Sequence, residues 1–180
     1  MSCTTYSLKG LTLDCETNIG GIKEVYIANY ADVTLTGITL TGASATTEIK
    51  SSNINGAGKF HKYELRKQTG SMTSTLNVDE ASGLRMVTTE LVLEFGRMET
   101  KKRTEIAGLA LGQLAVIVKD GNDKYWFLGA DEYVSASGGS GQTGVNRTDK
   151  NAYSVTLKEE SSVFPLEIVD SIDELIATTA

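Results

Sequence analysis

Side chains that could act as catalytic nucleophiles or bases are few and widely separated in this chain. The single histidine, His61, lies in a stretch of alternating polar residues typical of a strand. A catalytic histidine needs a nucleophile and an orienting partner within reach, and the sequence offers neither. The only thiols, Cys3 and Cys15, have no second histidine to activate them. We therefore expect no enzyme active site and interpret His61 as an exposed or half-buried strand residue.

The candidate metal ligands are equally sparse. Cys3 and Cys15 are interpreted as reduced thiols, with a disulfide that pins the N-terminal segment as the alternative. Together with one distant histidine they are too few for a zinc site. Residues 120–123, Asp-Gly-Asn-Asp, have oxygen ligands suited to calcium but lack the spacing and the terminal glutamate of an EF-hand loop. They are typical of a hairpin turn, so we expect no metal and no cofactor.

Two short segments have only part of a phosphate-binding or nucleic-acid-binding pattern. Residues 138–141, Gly-Gly-Ser-Gly, are not followed by Lys-Ser/Thr, so they indicate a flexible loop rather than a P-loop. The basic run at 101–103 stands in a chain with a net charge of −6 and a pI near 4.9. It favours a solvated helix face or an inter-subunit salt bridge over a nucleic-acid site. The aromatic residues 125–127 favour a core or an interface over a stacking platform.

Three carboxylates are the one predicted surface group that suggests a specific function. Glu90 and Glu94 lie four residues apart on a predicted strand, so they share a face. Glu64 is expected on a neighbouring strand, where the three together would form an acidic surface. The simplest interpretation is the solvent-facing side of a sheet.

Period-2 alternation predicts the strands that must position these carboxylates. Strands are expected at residues 60–67, 71–78 and 85–95, with a tight turn between the first two. Neither face of 71–78 is strongly apolar, so we expect a neighbour to complete its burial. In the third strand one face is expected to be buried, with the residues Val87, Thr89, Leu91, Leu93 and Phe95.

The other elements describe a mainly β chain with one helix. Four more strands are expected, at 22–29, 113–119, 124–128 and 152–159, and one amphipathic helix at 99–111. A long, partly ordered loop with a short strand at 38–41 is predicted for 32–54, a polar loop for 130–150, and a short acidic helix or arm for 170–177. The fold class is therefore a β-sandwich or barrel with one flanking helix, long loops and terminal arms.

Length and composition limit the number of domains and the classes of protein to which the chain can belong. The 180 residues fit one domain, which we divide into an N-terminal arm (1–21), a β core (22–168) and a C-terminal arm (169–180). A hydrophobic content of 40% excludes a disordered chain. The acidic balance disfavours DNA-wrapping and membrane-surface proteins, because phosphate binding needs clustered Lys and Arg. We expect neither a membrane span nor a signal peptide.

The order of these elements resembles that of the tail tube proteins (major tail proteins) of tailed bacteriophages. The resemblance rests on the segment Gly20-Gly21-Ile22-Lys23-Glu24-Val25-Tyr26-Ile27, the long strands between Phe60 and Phe95, the single helix, the hairpin leading into Tyr125-Trp126-Phe127-Leu128-Gly129, and the strand at 152–159 before Phe164-Pro165. The cysteine-containing N-terminal segment that precedes Gly-Gly-Ile-Lys resembles the start of one group of these proteins.

The resemblance implies a structural virion protein, made in the host bacterial cytoplasm, whose subunits form hexameric rings that stack into a hollow tube. Each subunit would add strands to an inner β-barrel, and residues 32–54 and 130–150 are candidates for contacts between rings. Other tail proteins would be its partners. DNA would pass through the lumen during ejection without specific binding, past Glu90, Glu94 and Glu64, whose negative charge repels phosphate.

Other functions remain open at this stage. A tail terminator, a head–tail connector or a capsid decoration protein would have the same composition. A monomeric ligand-binding β-barrel would need a coherent apolar interior with a few polar groups at its mouth, and the sequence shows no such face on all its strands. Stable monomers would favour the binding barrel, open-ended polymers the tube, and closed single rings the terminator or connector.

Overall fold

The structure is a computed structural model that describes residues 10–11, 17–40, 45–46 and 48–177. Cys3 and Cys15, and with them the expectation on their redox state, lie outside the described residues. Within that part the chain forms twelve strands and one α-helix: β1 (Ile22–Asn29), β2 (Thr34–Leu35), β3 (Glu48–Ile49), β4 (Ile54–Asn55), β5 (His61–Glu64), β6 (Gly70–Asp79), β7 (Leu84–Gly96), α1 (Thr100–Leu111), β8 (Leu114–Asp120), β9 (Tyr125–Leu128), β10 (Ser135–Gln142), β11 (Ala152–Ser161) and β12 (Leu166–Ile168).

Two main sheets pack face to face, so the predicted β-sandwich with one helix is confirmed. The larger sheet has six strands in the order β3-β12-β9-β8-β1-β5, and the smaller has four in the order β10-β11-β7-β6. Their contact is a core of alternate inward residues from both sheets. It is built around Val25, Ile27, Leu91, Leu93, Val116, Val118, Val155 and Leu157.

The six-stranded sheet is buried on both faces. Residues 114–118, Leu-Ala-Val-Ile-Val, are all buried, which explains why this strand is a continuous apolar run instead of an alternating one. Its second face carries a separate core that includes Tyr26, Ile117 and Phe127. That core is covered by residues 33–40 and 48–60 and by the C-terminal segment, whose Ile172 is 1% exposed.

The four-stranded sheet is buried on one face only. In β7 the inward residues Val87, Thr89, Leu91 and Leu93 are buried, as the alternation predicts, and Phe95 is half-buried. The outward residues of the same strand are half-buried or exposed. This sheet is therefore the one with an open, polar face.

The helix α1 makes little core contact. Only Leu109 is buried, whereas Ile106 is half-buried and Ala110 is exposed, so the expected apolar stripe is narrower than the sequence suggested. The Tyr63 hydroxyl donates to Glu105 Oε2 (3.1 Å), which ties the helix to β5. The helix spans 100–111 as expected within one residue.

Several sequence expectations are wrong. The strand expected at 60–67 is limited to β5 and pairs with β1, not with β6, so the turn before Gly70 joins two sheets. The polar loop expected at 130–150 contains the eight-residue strand β10, paired with β11. Residues 38–40 form no strand, and residue 41 lies outside the described part. Of the two alternatives for the tail, a short helix or an arm, the helix does not form, because residues 173–175 make a turn and Ile176 forms a bridge to Phe60.

Candidate assembly surface

The two outer strands of the four-stranded sheet, β6 and β10, each have one open edge. β6 pairs only with β7, and β10 pairs only with β11, among the described strands. An open edge presents unpaired backbone N–H and C=O groups that can accept a further strand. The sheet could therefore be extended at β6, and at β10 along residues 137–142, which stay exposed although the helix α1 contacts this strand.

Most of the usual protection against such pairing is absent from both edges. β6 reads Gly-Ser-Met-Thr-Ser-Thr-Leu-Asn-Val-Asp and β10 reads Ser-Ala-Ser-Gly-Gly-Ser-Gly-Gln, without proline, lysine or arginine. The only charge is Asp79, at the last position of β6. The one irregularity in the pairing of β10 with β11 is a register shift between Ala136 and Gly138, a bulge that protects only the start of this edge.

The edges of the six-stranded sheet are built differently. β3 is only two residues long, and β5 has four residues, of which Lys62 and Glu64 form an ion pair (3.4 Å). Short and charged edge strands resist pairing with another chain. Long edge strands without lysine or arginine thus belong to one sheet of the sandwich alone.

The direction of the backbone groups on β6 follows from one hydrogen bond. The amide of Glu94 donates to the carbonyl of Thr69 (2.9 Å), and this pair continues the β6–β7 register. Because hydrogen-bonded pairs alternate in an antiparallel ladder, the odd-numbered residues of β6 point their backbone groups at β7. Met72, Ser74, Leu76 and Val78 therefore point theirs at the open edge.

The hairpin formed by β6 and β7 extends past the sandwich and exposes apolar side chains. β11 covers β7 only from Val87 onward, so the tip of the hairpin has no third strand. Leu76, Val78 and Leu84 are 51%, 55% and 47% exposed. Exposed apolar residues grouped beside an open edge are typical of a contact with another protein.

The open face of the sheet is lined by small hydroxyl side chains and a few charges. Cross-strand pairing places Thr73 and Lys158 on either side of Glu90. Lys158 forms an ion pair with Glu160 (2.6 Å), and Lys150 forms one with Glu94 (2.8 Å). Glu90 is exposed and has no ion pair within the described part, so the face has an excess of negative charge.

Glu64 does not belong to this face. It lies on β5, where it pairs with Glu24 of β1 in the six-stranded sheet. The expectation that Glu64 lies on a strand beside the strand of Glu90 is therefore wrong. The sequence argument failed because it took the turn at residues 65–69 for a hairpin. Glu64 instead joins a local network in which Lys62 also contacts Glu24 (2.7 Å). Hydrogen bonds from Lys62 and then from the Tyr26 hydroxyl lower the pKa of Glu24.

Residues of β10 and the lysines of the open face were missed by sequence reasoning. Gly138, Gly139 and Gly141 have poor strand propensity, and they led us to predict a loop. No local signal in residues 135–142 marks the strand, which forms by pairing with β11.

Of the residues considered for catalysis, the structure describes only His61. His61 is exposed and lines a cavity of about 330 Å³ with Tyr63, Glu105 and Asp32. Burial and the nearby Glu105 raise the pKa of Tyr63 to about 12, so it stays protonated. In the described part of the chain no group of three or more His, Cys, Asp or Glu residues is placed to hold a metal ion.

Comparisons with protein-family models, with curated proteins and with solved structures found no match to this chain. No helix of the described residues is long and apolar enough to cross a membrane. The geometry of the sheet edges is therefore the main guide to function.

Proposed function

We propose that this chain is the tail tube subunit of a bacteriophage, and that copies join edge to edge through the four-stranded sheet into rings. The observation that carries the proposal is the pair of long, uncharged open edges on β6 and β10. Two different edges that meet between copies make a head-to-tail contact, which closes into a ring when the rotation permits. Ring closure removes both open edges.

The strand directions support this junction. All three pairings within the four-stranded sheet are antiparallel, so β6 and β10 run in opposite directions. When β6 of one copy lies beside β10 of the next, that pairing is antiparallel as well. The sheet can then continue from copy to copy without a change of ladder type.

A hexamer of such sheets has the dimensions of a channel. Six copies of four strands, at about 4.8 Å per strand and tilted by about 35–45° as barrel strands are, give a barrel about 45–50 Å across between backbones. Side chains of about 5 Å on each side leave an opening of roughly 35–40 Å, which admits a nucleic-acid duplex.

The open face is the surface that would line this channel, because the other face packs against the six-stranded sheet. Glu90 and Glu94 would then face the lumen, with the hydroxyl groups of Thr73, Thr88 and Thr156 around them. The two lysines near this face are held by Glu94 and Glu160. Such a surface repels phosphate and gives DNA no cationic group to bind.

The test is a substitution that blocks only the open edge. Leu76→Pro removes a backbone N–H that points away from β7, so the ladder inside the subunit is kept. We expect wild-type protein to sediment as rings or longer particles and the variant to sediment as a monomer.

Leu76→Thr is the matched control, because it shortens the side chain and retains the N–H. It should assemble as wild type does. Assembly of Leu76→Pro at wild-type concentrations would contradict pairing through the β6 edge. Closed single rings without further stacking would instead favour a terminator or connector.

A further inference from the structure

A half-open cavity lies at one side of the sandwich, between the six-stranded sheet and the helix α1. Its volume is about 330 Å³. In the pairing of β1 with β5, Ile27 lies opposite His61 and Val25 lies opposite Tyr63. Residues that lie opposite each other in an antiparallel pair share one face of the sheet. Because Val25 and Ile27 belong to the core between the two sheets, the cavity is a recess on the inward face of the larger sheet.

The bottom of the cavity is apolar and its rim is polar. Ile27, Leu109 and Leu114 line it and are buried. The polar lining residues are all exposed or half-buried, namely Asn29, Asp32, Lys59, His61, Tyr63 and Glu105. Ligand pockets combine an apolar lining with a few polar groups that orient the ligand, in volumes of about 300 to 1,000 Å³. This cavity is at the small end of that range, so it suits a small molecule.

Charged side chains of both signs line the cavity without pairing with one another. Asp32, Glu105 and Lys59 form no ion pair within the part of the chain that the structure describes. The Lys59 ammonium group donates to the carbonyl of Glu174, which uses one of its three hydrogens. The imidazole of His61 can donate a hydrogen bond in either protonation state. Donors and acceptors therefore remain available for a ligand that carries both charges.

Neutral neighbours hold the two carboxylates in place. The Asn29 amide donates to Asp32 Oδ2 (3.3 Å), and the amide of Gly58 donates to the Asp32 carbonyl (3.1 Å). On the helix, the Tyr63 hydroxyl donates to Glu105 Oε2 (3.1 Å). The second oxygen of each carboxylate accepts no hydrogen bond from the described residues. Groups that are already oriented bind a ligand at a lower entropic cost.

Gly108 keeps the helix side of the cavity clear. It lies inside α1, where glycine is less favourable than alanine. A Cβ at this position would meet nothing within 4 Å, so no close approach of another segment requires a glycine. Gly108 lines the cavity, and a long side chain there would reach into it. The departure from helix propensity is therefore explained by the space that it leaves for a ligand.

We propose that this cavity binds a small zwitterion, an aliphatic α-amino acid. Lys59 and His61 flank Phe60, whose side chain belongs to the opposite core, so both face the cavity and can bind the ligand carboxylate. Asp32 and Glu105 receive the ligand ammonium group, and the aliphatic side chain packs on the apolar bottom. The site lies within one subunit, so the inference does not depend on the proposed ring.

Isothermal titration calorimetry of the full chain with L-leucine tests the site. Isoamylamine lacks the carboxylate of leucine and isocaproate lacks its amino group, so each analogue loses one set of charge contacts. We expect saturable binding of one leucine per chain. The dissociation constants of the two analogues should be at least about tenfold higher, because each lacks hydrogen bonds to charged groups.

A variant that fills the cavity tests the position of the site. Gly108→Met should remove leucine binding, because its side chain occupies the space beside the apolar bottom. Ala107→Met is the matched control, since Ala107 is the exposed neighbouring residue of α1 and does not line the cavity. It should bind leucine as wild type does. Methionine is a good helix former, so both variants should fold with an unchanged circular dichroism spectrum.

Glu105→Gln tests the assignment of charges within the site. The glutamine keeps an oxygen for the Tyr63 hydroxyl and removes the negative charge that would hold the ligand ammonium group. Leucine binding should weaken at least about fivefold, whereas the weak binding of isocaproate should stay the same. A general loss of structure would weaken both ligands equally.

Three results would overturn the inference. The first is no saturable binding of leucine at concentrations up to about 10 mM, which limits any affinity to the weakest range. The second is isoamylamine binding as tightly as leucine, which would show a simple cation site. The third is unchanged leucine binding by Gly108→Met, which would place the ligand elsewhere.

Discussion

The amide N–H of Gly129 donates a 2.7 Å hydrogen bond to Oε1 of Glu159, a carboxyl group on β11 that is 3% exposed. This contact fixes the segment that leads from β9 to β10 against the inward face of β11. Burial raises the pKa of Glu159 to about 7, against an opposing effect of the backbone hydrogen bonds from Gly129 and Ala130. Nearby Asp131 adds to the rise.

Glu159 is expected to make folding stability fall as pH rises. Its pKa is about 4.5 when unfolded and about 7 when folded, so the folded state binds the proton more tightly. The contribution of Glu159 to the free energy of unfolding is about 3 kcal/mol in total. It is fully present below pH 4.5 and is lost between pH 4.5 and 7.

Glu159→Gln keeps an oxygen that accepts the Gly129 hydrogen bond and removes the buried charge. Thermal melts should show the variant more stable than wild type at pH 8 and equal to it near pH 4. A difference that does not change between these two pH values would contradict the raised pKa.

Gly56 is expected to be intolerant of any side chain. Its φ is +131°, and a Cβ there would lie 2.0 Å from the carbonyl oxygen of Asp32. Gly56→Ala should cost at least about 2 kcal/mol, because the backbone at residue 32 must move. Chemical denaturation measures this cost directly.

Gly108→Ala is the matched control for Gly56→Ala. Gly108 lies inside α1, and a Cβ there would meet nothing within 4 Å. The substitution should stabilise the protein by about 0.5–1 kcal/mol, the difference in helix propensity. Equal effects of the two substitutions would show that the close approach at Gly56 is not the cause.

Charge reversal on the open face is expected to make assembled particles bind DNA. Glu90→Lys adds a cation beside Lys158 on the face proposed to line the channel. Particles of this variant should retain short fluorescent duplex DNA at low salt, whereas wild-type particles should not. Glu64→Lys is the control, since Glu64 lies in the other sheet. Retention by both variants would show that Glu90 does not face the channel.

The sequence predicted those strands and the helix in which apolar residues recur regularly along one buried face. β1 was placed to the residue, and the buried face of β7 was identified from Val87, Leu91 and Leu93, because alternation over ten residues leaves only one register. The helix was placed within one residue, since Gly112 ends it and the strand β8 follows at once.

The remaining features depend on contacts far apart in the chain. Nothing local distinguishes a hairpin at residues 65–69 from a crossing between two sheets, so Glu64 was assigned to the wrong sheet. β10 is a strand because β11 pairs with it, although its glycines favour a loop.

The central claim is that the open edges of β6 and β10 join between copies. Negative-stain electron microscopy of the purified wild-type protein over a concentration series tests it most directly. Closed rings, and hollow tubes with a regular ring repeat at higher concentration, are the predicted result. A monomer at every concentration would contradict the claim.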